Sequence, residues 1–198
     1  MCAWSQYSAG VSNFDGYWTV PSSPTSQNGQ TLYLWIGTQP LDGRYLLQPV
    51  LGLTDYPFQY DSWTIASWYC VPGNCYHSTQ YNVNQGDTIY GGVDWVYNPQ
   101  INEYGWQVTT RDGNTRSILY VGDFPGSENV MTNLYVNFEA YGVVNCADYP
   151  NVPYTTFSPL STSYTPYWIA QYGATNGCNE NVLVNSPSSV SLEYRGQA

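Results

Sequence analysis

Glu139 is the side chain in this sequence best placed to do chemistry. It sits in the run Leu134-Tyr-Val-Asn-Phe-Glu-Ala-Tyr-Gly-Val143. Read as a strand, the run turns Leu134, Val136, Phe138 and Ala140 to one face and Tyr135, Asn137, Glu139 and Tyr141 to the other. A carboxyl group is thereby set between aromatic rings, with no Lys or Arg within ten residues. Such surroundings withdraw water and raise a carboxyl pKa, which suits general acid and base work. A solvated strand face shows the same alternation.

Other chemistries lack their parts. Serine and cysteine nucleophiles need a base, and the sole histidine, His77, has no evident triad. One close cysteine pair and one histidine do not compose a zinc site, so no metal and no cofactor are expected. A second function class is carbohydrate binding. Tyr135, Tyr141, Trp63 and Asn137 offer rings and an amide to a glycan. Asp61 with Glu139 supplies the two carboxyls a glycosidase uses. A third class is assembly, favoured by many Tyr, low charge and the odd Cys2.

Composition narrows the partners. Charged residues make up 9% of the chain, against about 25% in ordinary soluble domains. Lysine is absent, the basic residues are Arg44, Arg111, Arg116 and Arg195, and the net charge is −10. Nothing here neutralises phosphates, which excludes nucleic acid and anionic membrane. With 21 Tyr and few salt bridges to lose, the chain has little to forfeit in acid. Cys70 and Cys75 bracket the turn sequence Val-Pro-Gly-Asn and fit a disulfide. Cys146 and Cys178 form the natural second pair. Disulfides imply an oxidising, extracellular setting. No run is long enough to span a membrane as a helix, and a secreted monomer is expected.

Strand-like runs recur at 32–36, 45–51, 62–69, 88–95, 106–110, 116–121, 134–143, 167–172 and 189–194, punctuated by Gly, Pro, Asn and Asp. The pattern predicts an all-β fold, a two-sheet antiparallel β-sandwich of jelly-roll or concanavalin-like type. Residues 1–198 read as one domain.

Several patterns, in order, resemble the eqolisins, the fungal glutamic peptidases. Phe14 with Tyr17-Trp-Thr-Val-Pro21 is similar to that family's opening strand, and Leu34-Trp-Ile-Gly37 to its Trp-Val-Gly strand. Leu46-Leu-Gln48 resembles the strand carrying the catalytic glutamine. Tyr60-Asp-Ser-Trp63 resembles Tyr-Asp-Ala-Trp, and Gln85-Gly-Asp-Thr-Ile89 resembles Glu-Gly-Asp-Ser-Ile. Asn137-Phe-Glu139 resembles the Asn-Ala-Glu that supplies the catalytic glutamate, and Val152-Pro-Tyr-Thr-Thr-Phe-Ser-Pro159 resembles Val-Pro-Phe-x-x-Phe-Ser-Pro. The match spans about residues 12 to 195.

The resemblance implies an acid-acting endopeptidase binding an extended peptide on a concave face. Glu139 would be general base and then acid, Gln48 would donate to the oxyanion, Trp63 would line the cleft and Asp61 would support it. The chain departs from the family at Pro49-Val-Leu-Gly-Leu53, at Ile65 and at Ala140. These departures fit altered specificity, and fit equally a relative that kept the cleft without hydrolysis.

Overall fold

The computed structural model describes residues 1–26, 28–53, 62–113, 115–122, 130–172 and 177–194. Alternation of apolar and polar residues does most of the folding. In β3 (Thr31–Pro40) Leu32, Leu34 and Ile36 turn inward, and Tyr33 and Trp35 turn outward. In β11 (Met131–Tyr141) Leu134, Val136 and Phe138 turn inward, with the Glu139 row outward. The two strands pair antiparallel with Phe138 opposite Leu34 and Glu139 opposite Tyr33. A slip of one residue would drive Glu139 into the core, so the apolar set fixes the register.

The large sheet runs in the order β14 (Ile169–Gln171), β1 (Cys2–Val11), β11, β3, β4 (Leu46–Leu53), β5 (Trp63–Val71) and β6 (Asn74–His77). A short β7 (Tyr81–Val83) also pairs with β5. The smaller sheet runs β10 (Thr115–Gly122), β9 (Glu103–Asp112), β8 (Thr88–Asn98), β2 (Asn13–Thr19) and β13 (Leu160–Thr162). All described pairings are antiparallel. The fold is the expected all-β sandwich. To it is added a third sheet, β12 (Tyr154–Phe157), β16 (Ser189–Glu193) and β15 (Asn181–Ser186). Both expected disulfides are present, Cys70–Cys75 and Cys146–Cys178, and Cys2 is free.

The inner faces meet over Phe14, Trp18, Leu34, Leu51, Ile65, Trp106 and Val108, all buried. One polar seam crosses this core. Ser67 of β5 donates to the Ser117 carbonyl at 2.8 Å, and its hydroxyl lies 3.1 Å from that of Thr110. Thr110 donates to the Ala66 carbonyl at 2.9 Å, and Ser117 to the Thr79 carbonyl at 2.8 Å. Ser78 adds a hydroxyl contact to Ser117. Three buried hydroxyls thus find partners across the sandwich.

Ser67→Ala strands groups on both sheets and is expected to cost about 1–3 kcal/mol. Ser161→Ala, at the exposed position of β13, should stay within about 0.5 kcal/mol. Urea denaturation of the two variants checks this.

Candidate functional site

The outward row of β11 holds its carboxylate with its own neighbours. Asn137 Nδ2 donates to Glu139 Oε1 at 3.3 Å, and Tyr141 Oη donates to Oε2 at 3.1 Å. Residues two apart on a strand share a face, so the clamp follows from Asn-x-Glu-x-Tyr spacing alone. Glu139 is half-buried. Loss of solvent pushes its pKa above the ordinary carboxylate value, opposed by the Tyr141 hydrogen bond and the Met1 amino group. Burial and Glu139 together push the Tyr141 phenol up to about 12.

Gln48 lies on the same outer face, on β4, two strands from Glu139. Trp35 occupies the strand between them, opposite Asn137 on one side and Val50 on the other. Two strand spacings are roughly 10 Å. Glu139 lies on the rung of Tyr33 and Gly52, four residues and roughly 13 Å along β4 from Gln48, and no hydrogen bond joins the two side chains. Anything both touch must lie between them, over Trp35. Gln48 is buried, and its Oε1 has no hydrogen-bond partner among the described residues. A half-turn of the amide exchanges Oε1 for Nε2, so this end can present an N–H. The buried indole N–H groups of Trp35 and Trp68 also lack partners there.

Glycines let the rings lie flat. A Cβ on Gly37 would stand 3.0 Å from the Trp35 ring, and one on Gly52 would stand 3.0 Å from the Tyr33 ring. Tyr33 packs edge-on against Trp68 (centroids 5.8 Å) and Tyr141 (6.4 Å), and Trp35 against Tyr135 (6.4 Å). Beside them Pro49 sits mid-strand without an N–H, and the β3–β4 pairing skips from Trp35–Val50 to Thr38–Leu47. Gln48 falls in that gap. A cavity of about 10 Å³ lies under Tyr33, Gly52, Thr64 and Trp68. It is water-sized, so a larger ligand would rest above the rings. A roomier cavity, about 390 Å³, lies elsewhere, between Pro21, Gln85 and Tyr154.

No protein-family model matches the sequence, and no curated protein matches it. Solved structures do. Scytalido-glutamic peptidase, crystallised with a peptide-based transition-state analog, shares 16% identity at a TM-score of 0.63, over 98% of this chain and 96% of that one. SCP-B, a member of the eqolisin family of peptidases in complex with the tripeptide Ala-Ile-His, shares 15% identity at 0.61 over the same shares. The chain has the eqolisin fold.

On that fold the predicted site residues divide. Glu139, Gln48, Tyr135, Asn137 and Tyr141 share the outer face of the large sheet. Trp63 does not line it. Only 2% exposed, Trp63 is packed in the core beside Val83. On β5 it is Thr64, Ala66 and Trp68 that turn outward, so alternation gives the cleft position to Trp68. Asp61 lies outside the described residues. Trp35, Tyr33 and Trp68 were missed as site residues. For Tyr33 and Trp35 the signal was the alternation of inward Leu32, Leu34 and Ile36 with outward rings one residue away.

A carboxyl whose folded pKa is raised ionises first in the unfolded chain. Stability from neutral Glu139 is full below the unfolded pKa and is lost as pH rises through the folded one. Glu139→Gln mimics the neutral form. It should therefore match the parent Tm in acid, near pH 3, and exceed it near pH 7, as read by thermal melts at both pH values.

Proposed function

We propose that this protein is a secreted, acid-acting glutamic endopeptidase. The observation that carries the reading is a desolvated carboxyl, Glu139, on the same open face as Gln48, whose buried amide has an unpartnered end. A peptide laid along the strands over Trp35 would run from one to the other, and both side chains would have to swing over that ring to meet at one scissile carbonyl. Ionised Glu139 takes a proton from water, and the hydroxide oxygen attacks the carbonyl carbon. The developing oxyanion accepts from Gln48 Nε2. Glu139 then passes its proton to the amide nitrogen, and the C–N bond breaks. An uncharged donor works at any pH, which suits a site used in acid. The named peptidases of this fold, crystallised with peptide ligands, support a peptide as substrate. The two disulfides support an extracellular setting.

A glycosidase reading has less support. On the outward rows of β3, β4, β5 and β11, Glu139 is the one carboxylate among the described residues, and glycoside hydrolysis uses two.

Digestion of an acid-denatured protein from about pH 2 to 7 tests the proposal. The parent should cleave best in acid and Glu139→Gln not at all; equal cleavage by the variant would overturn the reading. Gln48→Ala should lower kcat by about 10²–10³. Tyr141→Phe removes a hydrogen bond that favours ionised Glu139, so the acid limb of kcat/KM should move to higher pH.

A further inference from the structure

Basic side chains are scarce on the outer face of the large sheet. Arg111 stacks on Tyr90 at 4.4 Å and sits opposite Arg116, both on the smaller sheet. Arg44 is paired with Asp42 at 2.8 Å. Among the described residues that leaves His77, the last residue of β6. Its position is well defined. Cys70 and Cys75 face each other across the β5–β6 hairpin and are covalently joined, and two residues further out His77 faces Trp68. Their rings lie 4.9 Å apart. Trp68 in turn faces Gln48. One rung of the sheet therefore reads Gln48, Trp68, His77.

The imidazole has a fixed polarity. Nδ1 lies 2.8 Å from the Ser78 carbonyl oxygen. A carbonyl only accepts, so Nδ1 carries the hydrogen and Nε2 is left as the other ring nitrogen. Its neighbours along this rung are Trp68 from β5 and, beyond it, Gln48 from β4, neither of them charged. Tyr76 and Tyr69, stacked on each other, turn to the opposite face. The ring meets no carboxylate from these strands and is exposed to a ligand.

We propose that His77 is a specificity residue, selecting a carboxylate on the bound peptide at the Gln48 end of the face in acid. The inference rests on the peptide-cleft reading above. The carboxylate is a substrate Asp or Glu side chain or a free C-terminus.

The test measures binding, so that cleavage does not enter it. Short fluorescent peptides, with Glu or Gln scanned through each position and with free or amidated C-termini, are titrated onto Glu139→Gln. At about pH 5 a peptide carboxylate is ionised. Glu at one position, or the free C-terminus, should then bind about two- to fivefold more tightly than its neutral counterpart, the range of an exposed ion pair. The gap should close in His77→Phe, which keeps a ring on Trp68. His77→Gln serves if that variant does not fold. Peptides that bind with no such preference, or a preference that survives loss of His77, would overturn the inference and leave the cleft reading standing. No peptide binding by folded protein would overturn both.

Discussion

Aromatic rings need flat ground, and in this sandwich strand glycines provide it. A Cβ on Gly91, Gly92 or Gly105 would collide with Trp18, Tyr90 or Tyr120, and one on Gly37 or Gly52 would press at 3.0 Å on the ring of Trp35 or Tyr33. Glycine inside a strand normally weakens it; here each absent side chain is replaced by a neighbouring ring. The device explains how a chain with 17% aromatic and 9% charged residues covers its outer faces. It also builds the floor between Gln48 and Glu139, because Trp35 and Tyr33 can lie down only where Gly37 and Gly52 leave room. At Gly91 the same device admits Pro49 as well, which tied the interrupted strand beside Gln48 to the core beneath it.

Much of this was legible in the sequence. Alternation in 134–143 put Glu139 outward with Asn137 and Tyr141, and the structure adds that these neighbours are its hydrogen-bond donors. The turn between Cys70 and Cys75 announced its hairpin. What was not legible has physical causes. β1 inverts the usual code, burying the small Ala3 and Ser5 and turning Trp4 outward, so no apolar stripe marks it. Trp63 and Trp68 are identical in type and differ only in the parity of their positions on β5. A motif centred on Trp63 could not reveal which one the pleat turns outward. The run at 167–172 shrinks to Ile169–Gln171, because Trp168 leaves the strand pattern to bury its ring and bond the Pro187 carbonyl at 2.8 Å.

Several carboxylates here are held by burial toward their protonated form. Burial raises the proton affinity of Asp15 and Asp94, neighbours on the outer face of the smaller sheet, as it does for Glu139. Each such group makes the folded state firmer as pH falls toward its unfolded pKa. Asp148 runs the other way. Burial alone would raise it, but Ser26, Asn28 and the amides of Val144 and Asn145 donate to it and hold it below the ordinary range. Its contribution is lost only as pH falls through that lowered value, so it sets the lower edge of the acid range.

The hydroxyl seam gives that range its breadth. Ser67, Thr110 and Ser117 join the two sheets with donors and acceptors that neither gain nor lose a proton between gastric acidity and neutrality. A joint built from Asp and Arg would be dismantled in vinegar. This one is blind to pH, and so the relative placement of the sheets, and with it the curvature of the open face above, can stay constant while every carboxylate on the molecule changes charge.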